Sequence, residues 1–228
     1  MKRMELPKAT KKEFAKRTKL VELLQKDDSD QLNMEYLDLM NSYRWFPEIY
    51  EENGNVGIKS ILGKILVPPL FDDVIYSPTQ IEYQPVVAAK KSSKWGLITT
   101  DGTASEITDF VYDRIAPLSF PLAVVQKNEK WGYLRFNGEH FTGIEFDSIE
   151  IWENGTTFCN GFSVFEKNGF HGITDGQRIT EPVYDQINYL NMGDWITVVK
   201  NGKNGYINKD GQFTENEEDD MWIAFDIG

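Results

Sequence analysis

The sequence predicts an α+β chain that is mainly β: tandem three-stranded antiparallel repeats with a period of about 33–40 residues, preceded by an N-terminal helical cap. Three observations carry this. Residues up to about 43 space their apolar side chains as helices do. Beyond about residue 44 the texture changes to short β-like runs punctuated by glycine, and the same ordered set of residues then returns along the chain.

The cap comes first. From Lys11 to Gln25, Phe14, Leu20, Val21, Leu23 and Leu24 recur at near-helical spacing among Lys, Arg and Glu. Asp27-Asp28-Ser29-Asp30 breaks that helix and offers an N-cap to a second one carrying Leu32, Met34, Leu37, Leu39 and Met40. The acidic run lacks the ligand spacing and glycine of a calcium loop, so capping is its reading. The expected division is a helical cap at 1–43, a repeat array at 44–214, and an acidic segment with a closing strand at 215–228.

The array is read by aligning the chain with itself. One unit is Lys94-Trp95-Gly96-Leu97-Ile98, then Asp101-Gly102, then Tyr112-Asp113-Arg114-Ile115. The next is Lys130-Trp131-Gly132-Tyr133-Leu134, Asn137-Gly138, Phe146-Asp147-Ser148-Ile149. A third is Phe170-His171-Gly172-Ile173, Asp175-Gly176, Tyr184-Asp185-Gln186-Ile187. An earlier worn copy has Val56-Gly57-Ile58, Gly63 and Phe71-Asp72-Asp73-Val74, and a truncated last copy has Lys203-Asn204-Gly205-Tyr206-Ile207 and Asp210-Gly211. The leading glycines at 57, 96, 132, 172 and 205 set the period, and chance does not reproduce that order four or five times.

Each part of a unit has a local cause. Apolar strands precede the leading glycines at 86–89, 122–125, 162–165 and 196–199. Asn53-Gly54, Asn168-Gly169 and Asn201-Gly202 suit type I′ turns, because both positions tolerate positive φ. The glycine after the tryptophan admits a bulge or a closely passing strand. The aspartate of the aromatic-Asp-x-Ile tetrad is expected to accept backbone N–H bonds at a turn while its aromatic and Ile face the core. A three-stranded module of this size needs neighbours to bury its faces.

Lys-Trp-Gly-x-Ile/Leu, the Asp/Asn-Gly turn and Tyr/Phe-Asp-x-Ile resemble the WG-repeat family, over residues 54–214, or 161 of 228 positions. Val56, His171 and Asn204 depart from it by replacing the tryptophan. The resemblance implies a β-repeat scaffold and a bacterial source, and it implies no reaction and no catalytic residues.

Composition bounds the function. With 40% hydrophobic and 13% aromatic residues the chain can form a sizeable core, and no apolar run reaches the roughly 20 residues that span a bilayer. Charged residues follow Met1-Lys2-Arg3 where a signal peptide would be apolar, so a cytoplasmic location is expected. There the sequon Asn154-Gly155-Thr156 means nothing. A single cysteine, Cys159, excludes an intrachain disulfide. With only His140 and His171 beside it, no metal site and no cofactor are expected.

Gly57 to Lys64 mimics a phosphate-binding loop, but five residues separate the glycines and Ile65 stands where Ser or Thr should be. A Cys159–His171 or Cys159–His140 dyad is formally available, although His171 occupies a tryptophan-equivalent framework position. Asp72, Asp113, Asp147 and Asp185 recur at equivalent points, which marks them as scaffold rather than as a glycosidase pair.

Charge is the positive clue. The net is −12, and it is uneven: residues 1–20 hold eight basic side chains against Glu5 and Glu13, leaving 16 basic and 34 acidic beyond them. Such a body repels nucleic acid and anionic membrane and attracts a basic protein. Residues that break the repeat are the binding candidates: Glu145, Glu150, Trp152 and Glu153 around the second tetrad, and Glu217, Glu218, Asp219 and Asp220 ahead of Met221-Trp222-Ile223-Ala224-Phe225. The expected function is a non-catalytic protein-binding module, most concretely a bacterial immunity-type inhibitor of a basic toxin. The alternatives are sugar or peptide binding by stacking on Trp95, Trp131 and Tyr133, and a carboxylate-dependent hydrolase.

Overall fold

The computed structural model describes residues 47–60, 63–75, 86–118, 121–152, 155–159, 161–188, 196–208 and 211–215. Every regular element among them is a strand, in agreement with the mainly β array expected beyond residue 44. The helical cap expected at 1–43 and the closing strand expected at 221–225 lie outside the described residues. The chain divides into two compact units, Met1–Asp73 with Thr100–Ala104, and Val74–Thr99 with Ser105–Gly228.

The first unit holds an antiparallel sheet in the order β1 (Glu48–Glu52), β2 (Asn55–Lys59), β3 (Ile65–Phe71). Asn53 and Gly54, at φ 52 and 80, make the tight turn that their sequence demands. Val56, Ile58, Val67 and Phe71 are buried. The β2–β3 ladder shifts register between Val56 and Ile58, around the leading glycine Gly57. A Cβ on Gly57 would stand 2.6 Å from the Val67 carbonyl oxygen.

The second unit repeats one plan. Its sheets are β4 (Asp73–Ile75), β5 (Val86–Lys91), β6 (Lys94–Thr99); β7 (Arg114–Ile115), β8 (Ala123–Lys127), β9 (Lys130–Leu134); β10 (Ser148–Ile149), β11 (Ser163–Lys167), β12 (Phe170–Thr174); and β13 (Gln186–Asn188), β14 (Thr197–Lys200), β15 (Lys203–Ile207), β16 (Phe213–Thr214). The last copy, expected to be truncated, is the only four-stranded sheet among the described residues, because Phe213–Thr214 pairs with Tyr206–Ile207.

Successive sheets share their cores. Trp95, Leu97 and Tyr112 pack with Ile115, Val125 and Leu134. Val124, Trp131 and Tyr133 pack with Phe146, Ile149 and Phe165. Phe162, Val164 and Ile173 pack with Ile196, Val198 and Ile207. A strand covered on both faces needs no polar alternation, and Val86 to Ala89 are accordingly all buried.

The tetrad lies differently from expectation. It does not close its own sheet; it crosses between two. Tyr112, Phe146 and Tyr184 bridge back to Trp95, Trp131 and His171 on the preceding sheet. The residues after the aspartate, Arg114–Ile115, Ser148–Ile149 and Gln186–Asn188, open the following sheet by pairing with β8, β11 and β14.

Candidate partner-binding surface

The aspartate at each crossing fastens two hairpins. Asp113 accepts the Lys94 ammonium of the preceding hairpin on Oδ1, and the Asn128 N–H of the following turn on Oδ2 at 2.7 Å. Asp147 does the same with Lys130 and with the Asn168 N–H, the latter at 2.7 Å. The lysine hydrogen bond first, and the backbone N–H second, hold both carboxyls below the ordinary aspartate range. Asp185 accepts the Gly202 N–H on Oδ2 at 2.9 Å, but Phe170 stands at the lysine position of that copy. The expected backbone-accepting role is met at Asp113, Asp147 and Asp185, and the lysine partner of Asp113 and Asp147 is additional. Its signal was in plain sight, in Lys94 and Lys130 ahead of each Trp-Gly.

A second repeated device went unread. The N–H after three of the leading glycines is capped by a threonine hydroxyl: Leu97 by Thr108 at 2.9 Å, Tyr133 by Thr142 at 3.0 Å, and Ile173 by Thr180 at 3.0 Å. Each threonine satisfies a ladder group that the irregular fourth edge leaves over.

Of the predicted binding residues, Glu145, Glu150 and Trp152 are described, and they attach at different points. Glu145 is exposed and meets Lys167 at 2.7 Å, at the hairpin end of β11. Glu150 is also exposed, but its N–H donates to Val164 O at 2.9 Å, near the other end of that strand. Three residues of strand separate those anchor points by about 10 Å. Trp152 is half-buried and its Nε1 is shielded from solvent. Its N–H and carbonyl close a short loop with Thr156 O at 2.9 Å and Gly155 N at 2.8 Å. Glu153, Glu217, Glu218, Asp219 and Asp220 lie outside the described residues.

The framework aromatics are not a stacking platform. Trp95 and Trp131 are 9% and 8% exposed, and Lys90 and Arg114 lie over their rings at 5.8 and 5.6 Å. Tyr133 is fully buried, its hydroxyl 2.8 Å from Ser163 Oγ, and burial drives its pKa far up. Burial likewise pushes Tyr184 up to about 12. The sugar- or peptide-stacking alternative on Trp95, Trp131 and Tyr133 therefore loses the ring faces that it needs.

Cys159 is half-buried and pairs its backbone with Phe162 at 2.8 and 2.9 Å. Burial, and then the negative charge of Glu150, raise its thiol pKa, the reverse of what activates a nucleophile. His140 is exposed beside Leu134, and His171 sits half-buried against Tyr184. Among the described residues no three His, Cys, Asp or Glu side chains gather to hold a metal.

Residues 95–131 match the family model described as the WG containing repeat, so the chain carries that repeat. No curated protein matches. Three solved structures are similar at low identity. They are Kluyveromyces lactis Hsv2 (15% identical, 75% of this chain, 59% of that chain, TM-score 0.36), the same protein with loop 6CD replaced by a Gly-Ser linker (8%, 69%, 58%, TM-score 0.38), and the computationally designed Ika8 protein (15%, 73%, 60%, TM-score 0.31). The chain spans about three-fifths of the length of each, and likenesses at these scores carry no functional argument.

Proposed function

We propose that this WG-repeat chain is a non-catalytic protein-binding module, in its most concrete form a bacterial, cytoplasmic immunity-type inhibitor that holds a basic toxin. The observation that carries this reading is the charge distribution, 16 basic against 34 acidic side chains beyond residue 20. A field of that sign steers a cationic partner and suppresses nucleic acid. The exposed Glu145 and Glu150 give it side chains to present. The engagement of Asp113 and Asp147 by lysine and backbone N–H groups supports reading the tetrad carboxylates as scaffold rather than as acid and base.

The first test is to capture the tagged chain from its host's lysate at low and moderate salt. One near-stoichiometric basic protein, partly released by salt, is expected. With that partner in hand, reversing the charges of Glu150 and Glu153 to lysine slows association about tenfold and flattens its salt dependence. Unchanged kinetics overturn the acidic-surface reading.

A further inference from the structure

Four hairpins in the second unit place a residue at the same point, one before the Trp-equivalent position: Lys94, Lys130, Phe170 and Lys203. Their registers agree, with Lys91↔Lys94, Lys127↔Lys130, Lys167↔Phe170 and Lys200↔Lys203 as the last pair of each ladder. All three lysines meet a carboxylate: Lys94 meets Asp113, Lys130 meets Asp147, and Lys203 meets Glu215 at 2.8 Å.

The third copy keeps the backbone of this seat and lacks the cation. His171 N donates to Tyr184 O at 2.8 Å and Tyr184 N to His171 O at 3.1 Å, as Trp131 N and Phe146 N exchange bonds with each other's carbonyls at 2.9 and 3.0 Å. Asp185 N donates to Val199 O at 2.8 Å, as Asp147 N does to Glu166 O at 2.8 Å. Asp185 therefore stands where Asp147 stands. Its Oδ2 takes the Gly202 N–H, and among the described residues its Oδ1 has no hydrogen-bond partner. Lys200, the nearest lysine by register, lies instead over the Tyr184 and Phe213 rings at 5.9 Å from each. Phe170 is 44% exposed, so its ring is open to solvent at the hairpin end.

We propose that Phe170 and Asp185 form a vacant cation seat that receives an arginine side chain of a basic protein partner. The carboxylate supplies the acceptor that Asp147 gives to Lys130, and the exposed ring supplies a face for the guanidinium. Arginine fits better than lysine because its planar group both stacks and donates in the same pose. An exposed aromatic beside an unpaired acceptor is the composition of an interface anchor. The inference rests on the basic-partner reading above and names where that partner would insert.

The test titrates the full ¹⁵N-labelled chain with a hexa-arginine peptide. The Gly202 and Phe170 amides are expected to shift and saturate, whereas the Asn128 and Asn168 amides, on aspartates already holding a lysine, stay in place. Phe170→Lys installs the missing internal cation and should weaken the Gly202 response at least about fivefold. Asp185→Asn should do the same without altering Phe170, and unshifted Asn128 and Asn168 amides report that both variants fold. An unchanged Gly202 titration in the two variants overturns the seat. Shifts confined to residues around Glu145 and Glu150 also overturn it while leaving the basic-partner reading standing. A peptide that moves no amide removes both.

Discussion

Lys130 and Asp147 are seventeen residues apart in the chain and form one ion pair, and the second oxygen of that carboxylate holds the Asn168 N–H of the next hairpin turn. One side chain thus joins a Trp-Gly strand to the turn that follows the crossing. The pair is partly solvated, so its charge alone contributes little. Its value lies in geometry, because a turn whose first residue has positive φ is held by its own N–H.

Asp147→Ala should therefore loosen the following turn more than it unfolds the molecule. We expect the Asn168 amide to exchange about tenfold faster, with Tm falling by a few degrees. Asp147→Asn keeps an acceptor for that N–H and should fall between the two. Equal Asn168 exchange in the native chain and the alanine variant would contradict the fastening role.

The same carboxylates give the chain an acid limit. Asp113 and Asp147 titrate lower folded than unfolded, so the unfolded state takes up protons first as pH falls. Their contribution is fully present above the unfolded aspartate pKa of about 3.9 and is lost as pH drops through the folded values. Urea midpoints followed from pH 6 to pH 2 should decline below about pH 4, and less steeply in Asp113→Asn/Asp147→Asn, which starts lower but has less to lose. Parallel slopes would assign the acid sensitivity to other groups.

The periodic parts of this architecture were legible because they repeat. Asn53-Gly54, Asn168-Gly169 and Asn201-Gly202 announce their turns by residue type, and all six residues have positive φ. Ser92-Ser93 and Asn128-Glu129 make the same turn with no glycine and gave no such signal. The capping threonines were missed for a different reason. They fall 12, 10 and 8 residues after Gly96, Gly132 and Gly172, so alignment by fixed spacing scatters them. The tetrad was recognised but its division between two sheets was not, because a four-residue pattern carries no record of which strand each end pairs with. At the candidate surface, composition named Glu145 and Glu150, but their placement toward opposite ends of β11 is a property of the ladder alone.

Glycines in this chain divide by what they avoid, and two substitutions separate the causes. A Cβ on Gly132 would lie 2.6 Å from the Gly143 carbonyl oxygen, a backbone atom that cannot swing aside. Gly132→Ala should cost about 3 kcal/mol or prevent folding. Gly54 has open space around its absent Cβ but φ of +80, so Gly54→Ala should cost only about 1 kcal/mol. Chemical denaturation of the two variants measures both, and a reversed order would refute the close approach.

Cys159 offers a direct reading of whether a nucleophile is hidden in the array, because it is the only thiol in the chain. Burial first and the Glu150 charge second raise its pKa, so at pH 8 it should react with a neutral alkylating reagent more slowly than an unperturbed cysteine. Glu150→Gln removes one of the two causes. It lowers the thiol pKa, enlarges the thiolate fraction at that pH, and should accelerate alkylation about twofold to fivefold. His140→Ala and His171→Ala should leave the rate unchanged, because in this reading neither imidazole takes the thiol proton. A histidine variant that slows alkylation tenfold would instead reveal a base-activated thiol, and the non-catalytic reading would then give way to nucleophilic chemistry at Cys159.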